Sequence, residues 1–317
     1  MHRRTRYARL STALALIDDA RLHAAVAAAD TGVGSGMGGR TGVLDVEGTT
    51  VFVKRIPLTA RELSPRHRHS TANLFELPAF YHYGIGSAGF GAWRELALHL
   101  MTTNWVLSDA YDGFPLTYHW RVLPDGPPQG FMDELGGIDG AVAHWDGSPA
   151  VRRRLEELAA AEHSLVLFLE YVPETVGAWL AARRTGAAYA KVVSELARGT
   201  AFLREQGVVH FDAHFDNLLT DGERILFADL GLALSSRFPL DAAEGEFLAE
   251  HLPSYDFCMT LSHLRRHHLP AGAPDSVSAL LAPHASRLSV FDDFVRGLVN
   301  DSRRTPYPGR KLAQATT

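Results

Sequence analysis

The densest run of residues able to do chemistry is His210-Phe211-Asp212-Ala213-His214-Phe215-Asp216-Asn217, with Asp229-Leu230-Gly231 beginning 12 residues after Asn217. Between them, Leu218-Leu219-Thr220, an Asp221-Gly222 turn and Ile225-Leu226-Phe227-Ala228 spell a short hairpin, two apolar runs around a turn dipeptide. A loop therefore feeds a hairpin whose far strand returns a second carboxylate beside the first. Phosphoryl transfer uses that arrangement: one carboxylate orients an acceptor hydroxyl, while an amide oxygen and another carboxylate hold Mg²⁺ against phosphates. The alternation His210-x-Asp212-x-His214 also suits metal ligands on one strand face. No second spaced cluster of His, Cys or Asp supplies the rest of such a set.

Such a loop needs elements to hold it and a cation to meet the phosphates. Val43-Leu44-Asp45-Val46 and Thr49-Thr50-Val51-Phe52-Val53-Lys54 flank Glu47-Gly48 and predict a hairpin that ends on Lys54. Before it stands Gly34-x-Gly36-x-x-Gly39. A helix-like segment precedes these glycines and a strand follows, the reverse of a dinucleotide-binding turn, and no Gly-Lys-Ser/Thr makes a Walker loop. Residues 92–102 repeat apolar side chains at helical spacing through Trp93, Leu96, Ala97 and Leu100, placing Glu95 on a helix. Strands are predicted over 116–123 and 164–172, and helices over 151–162, 174–184, 188–206, 254–268 and 287–300.

His-x-Asp-x-x-x-x-Asn followed by Asp-x-Gly resembles the catalytic and metal-binding motifs of the protein-kinase-like superfamily, and Val51-Phe52-Val53-Lys54 resembles its Val-Ala-Ile-Lys strand. The resemblance runs from about Gly32 to about residue 268. It implies an α+β, bilobal fold with an N-terminal antiparallel β-sheet lobe carrying one key helix, a mainly helical C-terminal lobe, and MgATP in the cleft between them. It implies further that Gly34, Gly36 and Gly39 form a flap over the phosphates and that Lys54 neutralises the α/β-phosphates while paired to Glu95. Glu76 is the rival partner, weakened by Pro78, which breaks any helix there. Glu170-Tyr171-Val172 resembles the hinge whose backbone binds adenine. Asp212 would orient the acceptor and take its proton, Asn217 and Asp229 would hold Mg²⁺, and Asp256 would brace the catalytic loop. His210 and Gly231 read as structural members of these loops, and His214 as a neighbour of the transferring phosphate.

The departures from the family pattern concern control and acceptor. Phe211 stands where many protein kinases carry the Arg that pairs with a phosphorylated loop, and Leu230 stands for the Phe of Asp-Phe-Gly. Only 24 residues separate Gly231 from Asp256, with no Ala-Pro-Glu among them. The resemblance therefore implies an ATP-dependent kinase that phosphorylates a hydroxyl, with Ser/Thr of a protein as the expected acceptor. The alternatives are a small-molecule kinase of the aminoglycoside or choline phosphotransferase type, which often carries His at the His214 position, and a nucleotide-binding pseudokinase scaffold.

The 317 residues allow two domains or one large two-lobed unit. The expected divisions are a helical extension over 1–30, a sheet lobe over 31–172 with insertions at 55–91 and 124–163 that crowd the cleft rim, a catalytic lobe over 173–300 and a polar tail over 301–317. Lys and Arg total 31 against 36 Asp and Glu, a formal net charge of −5 that argues against nucleic acid as partner. Cys258 is the lone cysteine, which fits a reducing, cytoplasmic setting. Leu10, Leu14, Ile17, Leu22 and Val26 predict one amphipathic N-terminal helix, its apolar run too broken for a secretion signal. No stretch reaches the length of a membrane span.

Overall fold

A computed structural model describes residues 3–29, 35–36, 39–84, 86–269 and 275–315. The chain is mixed α/β, with antiparallel sheets and many helices, in keeping with the expected α+β class. It divides into two compact units, Met1–Tyr81 with Gly86–Tyr171, and His82–Ile85 with Val172–Thr317. The division at Tyr171 falls inside the Glu170-Tyr171-Val172 segment.

The first unit is built on a five-stranded antiparallel sheet of order β1-β2-β3-β5-β4: β1 Ser35–Gly36, β2 Gly39–Val46, β3 Thr49–Leu58, β4 Thr117–Pro124 and β5 His163–Glu170. The predicted β2–β3 hairpin forms around Glu47 and Gly48, both at positive φ (49° and 74°), which suits a two-residue hairpin turn. Side chains alternate across a strand. One face presents Phe52 and Ile56 of β3 with Leu165, Leu167 and Leu169 of β5 to Trp93 and Leu96 of helix α4, Ala92–Leu107. The other face is reached by α1 (Arg3–Ala15) and α2 (Asp19–Ala28), through Arg3 and Arg6 on Glu170 of β5 and Asp19 on Arg121 of β4.

The N-terminal extension is thus two helices rather than one, and it belongs to the sheet unit. Asp18 stops α1 from continuing by capping α2, its carboxylate accepting the Arg21 amide at 3.0 Å. Four of the five expected apolar positions, Leu10, Leu14, Leu22 and Val26, are buried.

The two insertions bury each other. The segment 55–91 holds α3 (Ala60–Leu63), and 124–163 holds α5 (Gly137–His144) and α6 (Pro149–Ala159). Phe75, Leu77, Tyr81 and Phe90 from the first pack with Met132, Val142, Trp145, Val151, Leu155 and Leu158 from the second. Neither could bury these faces alone, which is why neither read as a domain.

The second unit contains β6 (Glu174–Thr175), α7 (Val176–Ala182), α8 (Gly186–Glu205), β7 (Val208–Val209), β8 (Leu218–Thr220), β9 (Ile225–Phe227), β10 (Leu234–Ser235), α9 (Ala242–His251), α10 (Tyr255–His263), α11 (Asp275–Leu281), α12 (Ala285–Asn300) and α13 (Gly309–Gln314). A three-stranded sheet β6-β8-β9 and the pair β10-β7 frame the loops after β7 and β9. The expected helix over 254–268 closes with a π-helical turn at Leu264–His268. The expected tail over 301–317 is a folded part of this unit: Tyr307 and Leu312 are buried, and Ser254 Oγ meets Tyr307 Oη at 2.9 Å. Cys258 is buried, and burial pushes its thiol up to about 12, which favours the protonated thiol.

Candidate active site

In the sheet unit, Lys54 lies on the face of β3 that packs under α4, and its Nζ meets Glu95 Oε1 at 2.7 Å. Glu95 is in the first turn of α4, where the helix dipole favours a carboxylate. His99, one turn on and equally buried, brings Nε2 to 3.7 Å from Glu95 Oε1. The i, i+4 spacing of Glu95 and His99 was legible in the sequence, but the residue was not singled out. Glu76, the rival, sits in a turn at φ 55° and has no part in this pair. Thr41 of β2 lies directly across from Lys54.

Gly36 and Gly39 pair across the β1–β2 hairpin; Gly34 lies outside the described residues. A side chain at Gly39 would place its Cβ 2.6 Å from the Arg55 carbonyl, so close strand approach already requires glycine there. At the end of β5, the Glu170 amide donates to the Leu116 carbonyl at 2.7 Å. The Glu170 carboxylate accepts from Arg3, Arg6 and the Leu116 amide, so both its amide and its side chain serve the fold.

In the helical unit, the loop after β7 turns sharply because Phe211 adopts φ 65°. That conformation aims two consecutive amides at one carboxylate: His210 N–H donates to Asp256 Oδ2 at 2.7 Å and Phe211 N–H to Oδ1 at 3.0 Å. A left-handed non-glycine residue costs about 1–3 kcal/mol. Two hydrogen bonds to the carboxyl, at about 0.5–1.5 kcal/mol each when it is neutral and more when it is charged, offset it. Burial pushes the Asp256 carboxyl up to about 7, against the two amides that favour its charged form. The Phe211 ring is buried among Phe247, His251 and Tyr255, with His82 stacked on it at 5.1 Å. The position read as a missing arginine is an apolar anchor.

His210 bonds backbone through both ring nitrogens. Its Nε2 faces the Ala228 carbonyl at 3.0 Å and its Nδ1 faces the Asp212 amide at 3.3 Å. The carbonyl needs a donor and the amide an acceptor, so the ring is the neutral Nε2–H tautomer. Burial pushes its pKa down to about 4, which keeps it neutral. The ring thereby ties the loop to the residue before Asp229.

Asp212 and Asn217 face each other across one turn. Asn217 Nδ2 donates to the Asp212 carbonyl at 3.0 Å and to Oδ2 at 2.9 Å. The Asn217 carbonyl accepts the Ala228 amide at 2.9 Å, which registers the far strand of the hairpin beside the loop. Asp229, at φ 56°, accepts the Gly231 amide on Oδ1 at 3.3 Å. His214 Nε2 stands 3.9 Å from Asp212 Oδ1, and burial lowers its pKa. Gly84, which sequence reasoning passed over, completes the wall: a Cβ there would lie 2.6 Å from Asp212 Oδ1.

Among the described residues, no three His, Cys, Asp or Glu side chains converge as a metal set. His210-x-Asp212-x-His214 is a tight loop rather than a strand face, so the alternating-ligand reading finds no support. Two oxygen donors, Asn217 and Asp229, suit Mg²⁺, which commonly takes one or two protein oxygens and completes its shell with water and substrate phosphates. No protein-family model matches the chain, and no curated protein matches it.

Proposed function

We propose that the chain is an ATP-dependent phosphotransferase of the protein-kinase-like type, moving the γ-phosphate of MgATP to a hydroxyl. The observation that carries this reading is the Lys54–Glu95 pair at 2.7 Å, a strand lysine held by a buried helix glutamate. A lysine at a strand edge has no need of such a partner. A lysine that must meet phosphates does, because the carboxylate fixes one position for a flexible cation.

In this reading Lys54 neutralises the α/β-phosphates, and Asn217 and Asp229 hold Mg²⁺, whose chemistry is to screen charge on the phosphate oxygens. Asp212 is oriented through Oδ2 by Asn217 and takes the acceptor proton on its carboxylate. The acceptor oxygen forms its bond to the γ-phosphorus as the bond to the ADP oxygen breaks, and no covalent enzyme intermediate is required. The adenine would meet backbone at the Glu170 carbonyl and the Val172 amide, since the Glu170 amide is already engaged.

One observation bears on the acceptor. Between Gly231 and Asp256 the chain folds into β10 and α9, with Leu232, Leu234, Phe238 and Leu248 buried. That leaves little chain for a peptide platform and favours a small hydroxylated acceptor over the protein Ser/Thr expected from the resemblance. Incubation with radiolabelled ATP decides both points. Label on hydroxylated metabolites alone supports the small acceptor, and label on protein supports the other. Wild-type turnover in both Asp212→Asn and Asp229→Ala would overturn the assignment; Mg-dependent ATP binding without transfer to any acceptor would indicate a scaffold.

A further inference from the structure

Glu62 has no role in the chemistry above, yet it is 1% exposed and its carboxylate is fully engaged. Oε1 accepts the Ala92 amide at 2.9 Å, and Oε2 accepts the amide and hydroxyl of Thr59 at 3.0 and 2.9 Å. Ala92 opens α4, the helix of Glu95, and Thr59 directly follows β3, the strand of Lys54. The Glu62 carbonyl also accepts Trp93 Nε1 at 2.9 Å. The counter-charge comes from α6 of the second insertion, where Arg154, 1% exposed, brings Nη1 to 2.8 Å from Glu62 Oε2.

We propose that Glu62 and Arg154 are positioning residues for the Lys54–Glu95 pair, with one buried carboxylate joining the end of the lysine's strand to the start of the glutamate's helix. Two acceptor oxygens are needed, because the Ala92 and Thr59 amides approach from different elements; a carboxylate has two and a carboxamide one. Arg154 is needed because a carboxylate buried without a counter-charge is strongly disfavoured. The half-buried pair Arg61–Glu157, at 3.0 Å, joins the same α3 and α6 without touching α4. Its removal should cost little. The consequence for ATP binding rests on the phosphotransferase reading, whereas the positioning itself can be read without activity.

The chain has only three lysines, Lys54, Lys191 and Lys311, so acylation of Lys54 by an amine-reactive ester can be followed by peptide mass spectrometry on the full chain. Glu95→Gln should raise Lys54 acylation several-fold, because the carboxylate that holds the ammonium is gone. The charge-balanced double variant Glu62→Gln/Arg154→Met should raise it several-fold, with Lys191 and Lys311 unchanged and the KM for ATP raised more than kcat is lowered. Arg61→Ala should leave all three lysines at wild-type levels. Wild-type Lys54 acylation in the folded double variant would overturn the proposal, as would an unchanged rate in Glu95→Gln, since no pair would then be held. If the double variant does not fold, Thr59→Val, which removes one donor to the same carboxylate, must shift Lys54 in the same direction or the proposal falls. Lys54 rates that follow this pattern in a chain that transfers no phosphate would uphold the positioning and sink the phosphotransferase reading alone.

Discussion

Asn217 donates its side-chain amide twice to Asp212, to the backbone carbonyl at 3.0 Å and to carboxylate Oδ2 at 2.9 Å. The residue assigned to the metal therefore also aims the residue assigned to the proton. Asn217→Ala should lower kcat by at least about 100-fold, the scale of a misplaced general base, while costing about 1–2 kcal/mol of stability for hydrogen bonds in a part-buried loop. Transfer rates measured across a Mg²⁺ titration, beside a urea melt, check both. A loss that high Mg²⁺ fully restores would confine Asn217 to metal binding.

Gly84 sits at φ 72°, and a Cβ there would meet the same carboxylate at 2.6 Å. Gly84→Ala should push Asp212 Oδ1 aside and strain the turn, lowering turnover by about tenfold or more for a shift of about 1 Å. The stability cost should stay near 1–2 kcal/mol, because a single left-handed residue is being forced. Unimpaired turnover in this variant would mean that Asp212 does not need its present orientation.

Arg3 and Arg6 are expected to stabilise the sheet unit through Glu170. Arg3 meets Glu170 Oε2 at 2.5 Å and also donates to the Asp112 and Phe114 carbonyls, and Arg6 meets the other carboxylate oxygen. Replacing both arginines by Met should cost about 3–5 kcal/mol, since it strands a buried carboxylate. Adding Glu170→Gln should recover part of that loss. Chemical denaturation of the three variants measures it, and equal stabilities would show the ion pair to be dispensable.

Acid should unfold the helical unit early. Burial pushes His210 down to about 4 and His251 down to about 3, while their unfolded values lie near 6.5. Between about pH 6.5 and 4 the unfolded chain therefore binds two protons that the folded chain refuses. Asp256 works in the opposite sense, because the folded chain keeps its proton up to about 7 and the unfolded chain loses it near 3.8. His263 of α10, also pushed down to about 3 by burial, is a third refusal, so the net balance is about two protons and stability should fall by up to about 2.7 kcal/mol for each pH unit lost in that window. His251→Phe, at a site already lined by Phe247 and Tyr307, should flatten the slope. Melting temperature against pH for the two proteins tests it.

The parts of the site that were legible are those in which the determining contacts are close in sequence. The β2–β3 hairpin follows from alternation and a two-residue turn, and the β8–β9 hairpin from Asp221-Gly222. The Glu95 helix follows from apolar spacing, and its choice over Glu76 from Pro78. What was missed lies in partners far apart along the chain. The insertions looked irregular because each supplies half of a core, as Phe75 and Trp145 show. The places of several histidines were unreadable for the same reason: His82, His210 and His251 are buried ring and hydrogen-bond partners of the loop after β7 and its apolar anchor.

By itself the amino-acid sequence determined which residue types are offered together: Asp212 with Asn217 in one tight loop, Asp229 at the end of the next hairpin, and Lys54 in the strand after the Glu47-Gly48 turn. Turn chemistry and side-chain periodicity act over a few residues, so they are written locally. Only the tertiary structure decided which other charges meet: Glu62 with Arg154, Glu170 with Arg3 and Arg6, and Asp256 with the two amides of His210 and Phe211. A buried charge is tolerable only beside its partner. That partner is chosen by the packing of segments up to 167 residues apart, which no local pattern encodes.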